Sequence, residues 1–215
     1  MMTEQIWFRI LVFVFAAAVS YLFSAVNPAI VMSKAIYHKD IREMGSGNPG
    51  FTNFKRVFGN KYAWWVFVLD LAKMAVLSLV FGWLFHALFG LRQLGVSYSG
   101  FFAMLGHAFP PYYRFQGGKG FLVCLMMIWF VDWRAGAVAT AMLVIILLST
   151  KFMSLASMTA LISGCIVIAI FGTDCIWTLV LCILCVLFSV WRHRANIVRL
   201  FKGEESKFSF GKKKE

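Results

Sequence analysis

From Ile10 to Ser33 the chain runs for 24 residues without one charged side chain. A helix crossing a bilayer core needs about 20 apolar residues, so this stretch is long enough to span. Inside lipid the backbone must satisfy its own N–H and C=O groups, and a helix does this within a single segment. Further apolar runs follow at Tyr62 to Leu91, Tyr98 to Tyr113, Phe121 to Val131, Ala135 to Thr150, Phe152 to Thr173 and Ile176 to Trp191. The fourth and fifth are short and can form one broken unit, which leaves six or seven spans. With 61% hydrophobic and 14% charged residues, the chain lies far from soluble domains, which average about 45–50% apolar and about 25% charged. The fold class expected is therefore all-α, a polytopic membrane bundle. Its membrane domain covers 1–201, and 202–215 forms a basic, disordered tail carrying Lys212 to Lys214.

The net charge of +12 does not point to nucleic acid, because the cations gather in gaps between apolar runs and at the C-terminus. With seven spans, seventeen of the 21 Lys and Arg residues fall on one side and three (Arg9, Arg92, Arg134) on the other. Such a bias marks the cytoplasmic side and puts the N-terminus outside. All eight tryptophans lie near segment ends, where an aromatic belt is expected. The start of the chain could pass for a signal peptide, but its apolar run continues past Ala16-Ala17-Ala18, so it reads as an uncleaved first helix. Asn27-Pro28 should break the inner end of that helix, since proline removes a helical hydrogen bond. The five cysteines lie in or beside apolar runs and read as packing thiols.

Two glycine-rich stretches interrupt this scaffold on the side rich in cations. The first is Gly45-Ser46-Gly47-Asn48-Pro49-Gly50-Phe51-Thr52-Asn53, followed by Lys55 and Arg56. The second is Gly106-His107-Ala108-Phe109-Pro110 with Gly117-Gly118-Lys119-Gly120. Neither is a nucleotide-binding motif. The G-x-G-x-x-G at 45–50 lacks a βαβ context, and the second lacks P-loop spacing. Their chemistry still suits an anion. Glycines let backbone N–H groups approach a ligand closely. Ser46, Asn48, Thr52 and Asn53 add neutral hydrogen bonds, Arg56 can clamp a phosphate bidentately, and Lys119 adds a point charge. For Lys55 and Lys61 the positive-inside bias is explanation enough. Asp70 and Lys73 lie three apart on one helical face, either as a simple ion pair or as support for a site. His107 is equally open to a structural or a functional reading. Ser154, after Lys151, and the run from His193 through Asn196 to Arg199 fall on the same side. Irregular, polar backbone at membrane depth is tolerated where it lines a cavity, so a cytoplasmic-side cavity is expected.

These residues resemble the PlsY family of bacterial membrane glycerol-3-phosphate acyltransferases. The likeness covers the chain to about Gly203 and rests on 45–53 with Arg56, on Asp70 and Lys73, and on Gly106-His107, Pro110 and 117–120. Ser154-Leu155 and His193, Asn196-Ile197, Arg199-Leu200 extend it. The chain departs from the family at Phe51, Met74 and Phe152. The resemblance implies acyl transfer from acyl phosphate to the 1-hydroxyl of glycerol 3-phosphate, with no cofactor and no metal. It implies membrane lipids as surroundings and a link to an enzyme that forms acyl phosphate. It further implies that Ser46, Arg56, Lys119 and Ser154 bind the glycerol 3-phosphate headgroup. Gly117, Gly118 and Gly120 would hold the donor's phosphate, with Gly47, Asn48, Thr52 and Asn53 completing the substrate site. His107 and Asn196 would position substrate or assist proton transfer, and a substrate phosphate could itself be the base. An anion transporter would instead call for repeats and polar clusters on both faces. A metal-dependent alcohol phosphatidyltransferase would need more loop carboxylates than Asp40 and Glu43.

Overall fold

A computed structural model describes residues 2–209, and the regular structure there is helical. Helix α1, Met2–Ala25, breaks at Asn27-Pro28 and continues as α2, Pro28–Tyr37. The break follows the expected physics. Pro28 opens α2, where its missing N–H costs nothing, and Asn27 Oδ1 caps it by accepting from Ile30 N at 3.1 Å. A short helix, α3 (Phe51–Phe58), buries Phe51, Asn53 and Phe54 and turns Arg56 outward. It leads into α4, Asn60–Phe89, whose buried residues recur at Ala63, Val66, Asp70, Lys73, Leu77 and Phe81, one helical face.

Helix α5, Arg92–Ala108, packs against α1 and α4 and against the later helices. Small residues allow this central position. A Cβ on Gly106 would lie 2.0 Å from the Tyr21 carbonyl oxygen, and one on Gly95 would lie 2.2 Å from that of Phe81. Such close approach is how helices pack where lipid gives no hydrophobic drive between them. After α6 (Phe121–Val131) come α7 (Trp133–Thr150), α8 (Met153–Phe171), α9 (Ile176–Arg192) and α10 (Arg194–Phe201). Every apolar run read from the sequence is a helix, and α6 and α7 are separate, divided at extended Asp132.

Among the described residues, four stretches are long and apolar enough to cross a membrane: 4–37, α4, α7 and α8. A fifth arises if α9 and α10, bent by 56°, count as one. Helix α6 has 11 residues and reaches only about 17 Å, roughly half the core thickness. It is buried along most of its length, enclosed by its neighbours. All eight tryptophans are exposed. The chain does not fall free at 202, contrary to the expected tail. Glu205 reaches into the bundle, and buried Phe208 donates its N–H to the Lys151 carbonyl at 2.6 Å, against Phe51. Lys212 to Lys214 lie outside the described residues.

The first glycine loop is braced before it meets any ligand. Gly45 adopts φ +60°, and the space its missing side chain leaves is filled by Asn53 Oδ1. That oxygen accepts from Ser46 N at 2.8 Å, while Nδ2 donates to the Met44 and Ile41 carbonyls at 2.9 and 3.4 Å. Asn27 Nδ2 holds the Pro49 carbonyl at 3.1 Å. Arg42 grips Asp40 and reaches the Tyr113 carbonyl at 2.7 Å, joining the first loop to the second. Asn53→Ala would leave Ser46 N–H without its partner and take one donor each from the Met44 and Ile41 carbonyls, which keep Gly47 N–H and Met44 N–H, and should destabilise the fold by about 2 kcal/mol. Thermal unfolding of the purified protein in detergent checks this, with Asn53→Asp, which keeps the acceptor, falling between the two. An unchanged midpoint for Asn53→Ala would show that the loop holds its shape without the brace.

Candidate functional site

The two glycine loops, the start of α8 and the α9–α10 bend enclose a cavity of about 510 Å³. Of the residues expected in the site, Ser46, Asn48, Thr52, Asn53, Arg56, His107, Lys119, Gly120, Ser154 and Asn196 line it. Gly47, Gly117 and Gly118 stand behind the wall. Four separated stretches of sequence therefore meet at one place. Asn53 faces the cavity, but its amide is fully engaged in holding the loop. Arg56 is exposed, and its guanidinium has no ion pair or hydrogen bond among the described residues.

The second loop differs from expectation in one physical respect. Gly118 N donates to the His107 carbonyl at 3.0 Å and Gly117 N to that of Ala108 at 3.1 Å. These two amides are closed to an anion. Their own carbonyls are held by Arg192 of α9, whose Nη2 lies 3.0 Å from Gly117 O and 2.9 Å from Gly118 O. What remains is Lys119 and Gly120 N–H together with the first turn of α6, whose amides have no helical acceptor. A helix N-terminus is a natural place for negative charge. Phe121 and Leu122 of that turn line the cavity.

A carboxylate missing from the sequence reading organises the far wall. Glu205 Oε1 accepts from Ser154 Oγ at 2.7 Å and from Asn196 Nδ2 at 2.6 Å, and Oε2 accepts from Arg199 Nε at 2.8 Å. Asn196 Oδ1 in turn accepts from Lys119. Burial raises the Glu205 carboxyl, but its hydrogen bonds from Ser154, Asn196 and Arg199 outweigh this and hold it below the usual range. Lys119 is pushed down to about 8, first by burial and then by Arg199, Arg192 and Arg56, with Glu205 opposing. The only advance sign of Glu205 was an acidic pair directly after Gly203 in a run otherwise made of cations.

Two histidines face the cavity. His193, which opens the polar run read from the sequence, is buried, and its Nδ1 lies 2.8 Å from the Ser189 carbonyl. A carbonyl only accepts, so Nδ1 carries the proton and the other ring nitrogen is an acceptor. His107 meets the Asp70–Lys73 pair. Lys73 Nζ lies 2.8 Å from Asp70 Oδ1 and 2.9 Å from His107 Nδ1. The pair on α4 is thus both an ion pair and part of the wall, since Asp70 also lines the cavity. Apolar side chains complete the lining, among them Phe51, Phe67, Leu122, Leu143 and Met153. The arrangement can hold a doubly charged headgroup and a hydrocarbon chain.

Comparison with known proteins identifies the family. The sequence profile of the glycerol-3-phosphate acyltransferase family matches residues 14–203. A glycerol-3-phosphate acyltransferase of Listeria welshimeri is 38% identical over 196 residues, covering 89% of this chain and 94% of that one. One from Lactiplantibacillus plantarum is 33% identical over 193 residues, covering 90% of each. Two crystal structures of PlsY, an integral membrane glycerol 3-phosphate acyltransferase, superimpose well. Its glycerol 3-phosphate form gives a TM-score of 0.84 at 31% identity, over 92% of this chain and 96% of that one. Its lysophosphatidic acid form gives 0.80 at 30% identity, over 92% and 95%. By sequence and by fold, this chain belongs to the glycerol-3-phosphate acyltransferase family of the PlsY type.

Proposed function

We propose that this protein transfers an acyl group from acyl phosphate to the 1-hydroxyl of sn-glycerol 3-phosphate. The products are 1-acyl-sn-glycerol 3-phosphate and phosphate. The observation that carries this reading is that one cavity is lined both by cations, Arg56 and Lys119, and by apolar side chains. The hydroxyl oxygen forms a bond to the acyl carbon, the bond from that carbon to the phosphate oxygen breaks, and the hydroxyl proton leaves with the phosphate. Acyl phosphate is a mixed anhydride with a good leaving group, so no enzyme nucleophile is needed. Arg56, Ser46 and Lys119 hold the glycerol 3-phosphate headgroup, and Asn48 and Thr52 border it. Lys119 and Gly120 N–H with the α6 start receive the donor's phosphate, as the spare donors of that loop. Asn196 orients Lys119, and Ser154 faces the glycerol hydroxyls. Holding two anions side by side in a dry cationic site supplies much of the rate.

The acyl chain lies along the apolar lining, open to lipid. The protein sits in the bacterial cell membrane with seven crossings, its N-terminus outside and the cavity toward the cytoplasm, in keeping with seventeen cations against three. An enzyme that forms acyl phosphate supplies the donor. Labelled glycerol 3-phosphate with palmitoyl phosphate or palmitoyl-CoA tests the reading. Lysophosphatidate is expected from acyl phosphate alone, and Lys119→Ala should lower it by at least about 10²-fold. Equal product from the thioester would overturn the donor, and none from either would overturn the reaction.

The Lys119 environment gives a further test. Its pKa is lowered to about 8, so its charge is complete below that pH and is lost as pH rises through it. kcat/KM reports groups of the unliganded enzyme. It should fall above about pH 8, approaching tenfold per pH unit, while Lys119→Arg, whose charge persists, should flatten that limb. A wild-type profile level to about pH 10 would show that the charge on Lys119 does not govern binding.

A further inference from the structure

We propose that Lys73 is a positioning residue that fixes the tautomer of His107. His107 then presents an Nε2–H donor to the cavity and does not act as a base. The inference deepens the reaction proposed above. A lysine ammonium has three protons and no acceptor. Lys73 Nζ bonds to His107 Nδ1 at 2.9 Å and to the Ser24 carbonyl oxygen at 3.2 Å, and it pairs in charge with Asp70 Oδ1 at 2.8 Å without hydrogen-bond geometry. Only one proton fits between two nitrogens 2.9 Å apart, and the ammonium supplies it. Nδ1 therefore holds its lone pair, and the proton of the neutral ring sits on Nε2. Asp70 Oδ1 lies 3.5 Å from Nδ1, too long to claim a proton there against the nearer lysine.

The Nε2 edge points at the second glycine loop. A Cβ on Gly118 would lie 2.2 Å from Nε2 and 3.0 and 3.2 Å from its two ring neighbours, so the ring meets this backbone tip-on, where only glycine leaves room. His107 lines the same cavity as Lys119 and Gly120. Its donor therefore joins the groups that face anionic oxygen. His193 is set the other way by the Ser189 carbonyl. The cavity thus holds one histidine fixed as donor and one that keeps a lone pair, and two buried carbonyls and one lysine decide which is which.

The test needs no turnover. Full-length protein labelled with 15N-histidine, in detergent at about pH 7, is read by NMR, where protonated and unprotonated ring nitrogens are well separated. The chain has four histidines, and the His107 signals are those lost in His107→Gln. The expected wild-type spectrum shows His107 as a pure Nε2–H tautomer. In Asp70→Asn/Lys73→Met, which removes both charges together and leaves neither unpaired, the two tautomers should mix. A wild-type Nδ1–H tautomer, an imidazolium, or a spectrum unchanged in the double variant overturns the proposal. Should the double variant not fold, the wild-type spectrum decides. In the kinetic arm, His107→Gln places an amide N–H near the Nε2 position and should keep kcat/KM within about tenfold. His107→Asn places it near Nδ1 and should lose about 10²-fold. Equal effects of the two substitutions overturn the donor role. Failure of wild type to use acyl phosphate would strike the proposed reaction and leave the tautomer readable.

Discussion

Backbone that leaves a helix inside an apolar bundle finds no water there, and this requirement shapes every loop at the site. The second glycine loop shows it most fully. Gly117 and Gly118 give their N–H groups to the end of α5 and their carbonyls to Arg192 of α9. The first loop relies on Asn53 and on Asn27, one from within and one from the break in the first span. Tyr21 holds the Phe109 carbonyl at 2.7 Å. The loops are therefore shaped by side chains from elements far away in sequence. The amides left over, at Lys119, Gly120 and the start of α6, are the ones that can serve a ligand.

Charge follows the same economy of partners. Arg56, Arg192 and Arg199 stand near enough to Lys119 to disfavour its charge, and Glu205 gives relief. Two unit charges about 4 Å apart interact by about 4 kcal/mol at an effective dielectric of about 20. A dianion arriving among these cations gains several such terms against its own desolvation, so the cluster favours phosphate over a single carboxylate. The interior Asp70–Lys73 pair obeys the opposite rule. It is compensated within itself, and its net effect at the cavity is to orient a ring.

The membrane class and the apolar helices were legible because apolar runs of about 20 residues have few alternatives. The polar clusters were legible because small and charged residues are rare between such runs. Three features were not. Arg192 looked like one more cation in a basic stretch, and its role depends on α9 ending beside the second loop. His193 was visible as part of a polar run, but not its burial against the Ser189 carbonyl at the cavity. Glu205 lay in what reads as tail, since sequence periodicity ends at Phe201 and nothing local reports that Phe208 packs on Phe51. The Gly117 and Gly118 amides misled for a related reason. Glycine shows that backbone comes close to something, and here that something is the protein's own α5 rather than a ligand.

Counting protons on the far wall sharpens what that wall can do. Ser154 has one proton, and Glu205 receives it. Asn196 gives one amide proton to the same carboxylate oxygen and offers its own oxygen to Lys119. With that carboxylate held below its usual range, both bonds persist at neutral pH. Ser154 then faces the cavity with lone pairs only. It can accept from a hydroxyl but cannot also donate to a phosphate while Glu205 stays in place. Under the reaction proposed above, the glycerol hydroxyls suit such an acceptor, and the phosphate suits Arg56, Lys119 and the open amides. A substrate with a phosphate at one end and hydroxyls at the other would be read in one orientation, set by where a single carboxylate has drawn the protons.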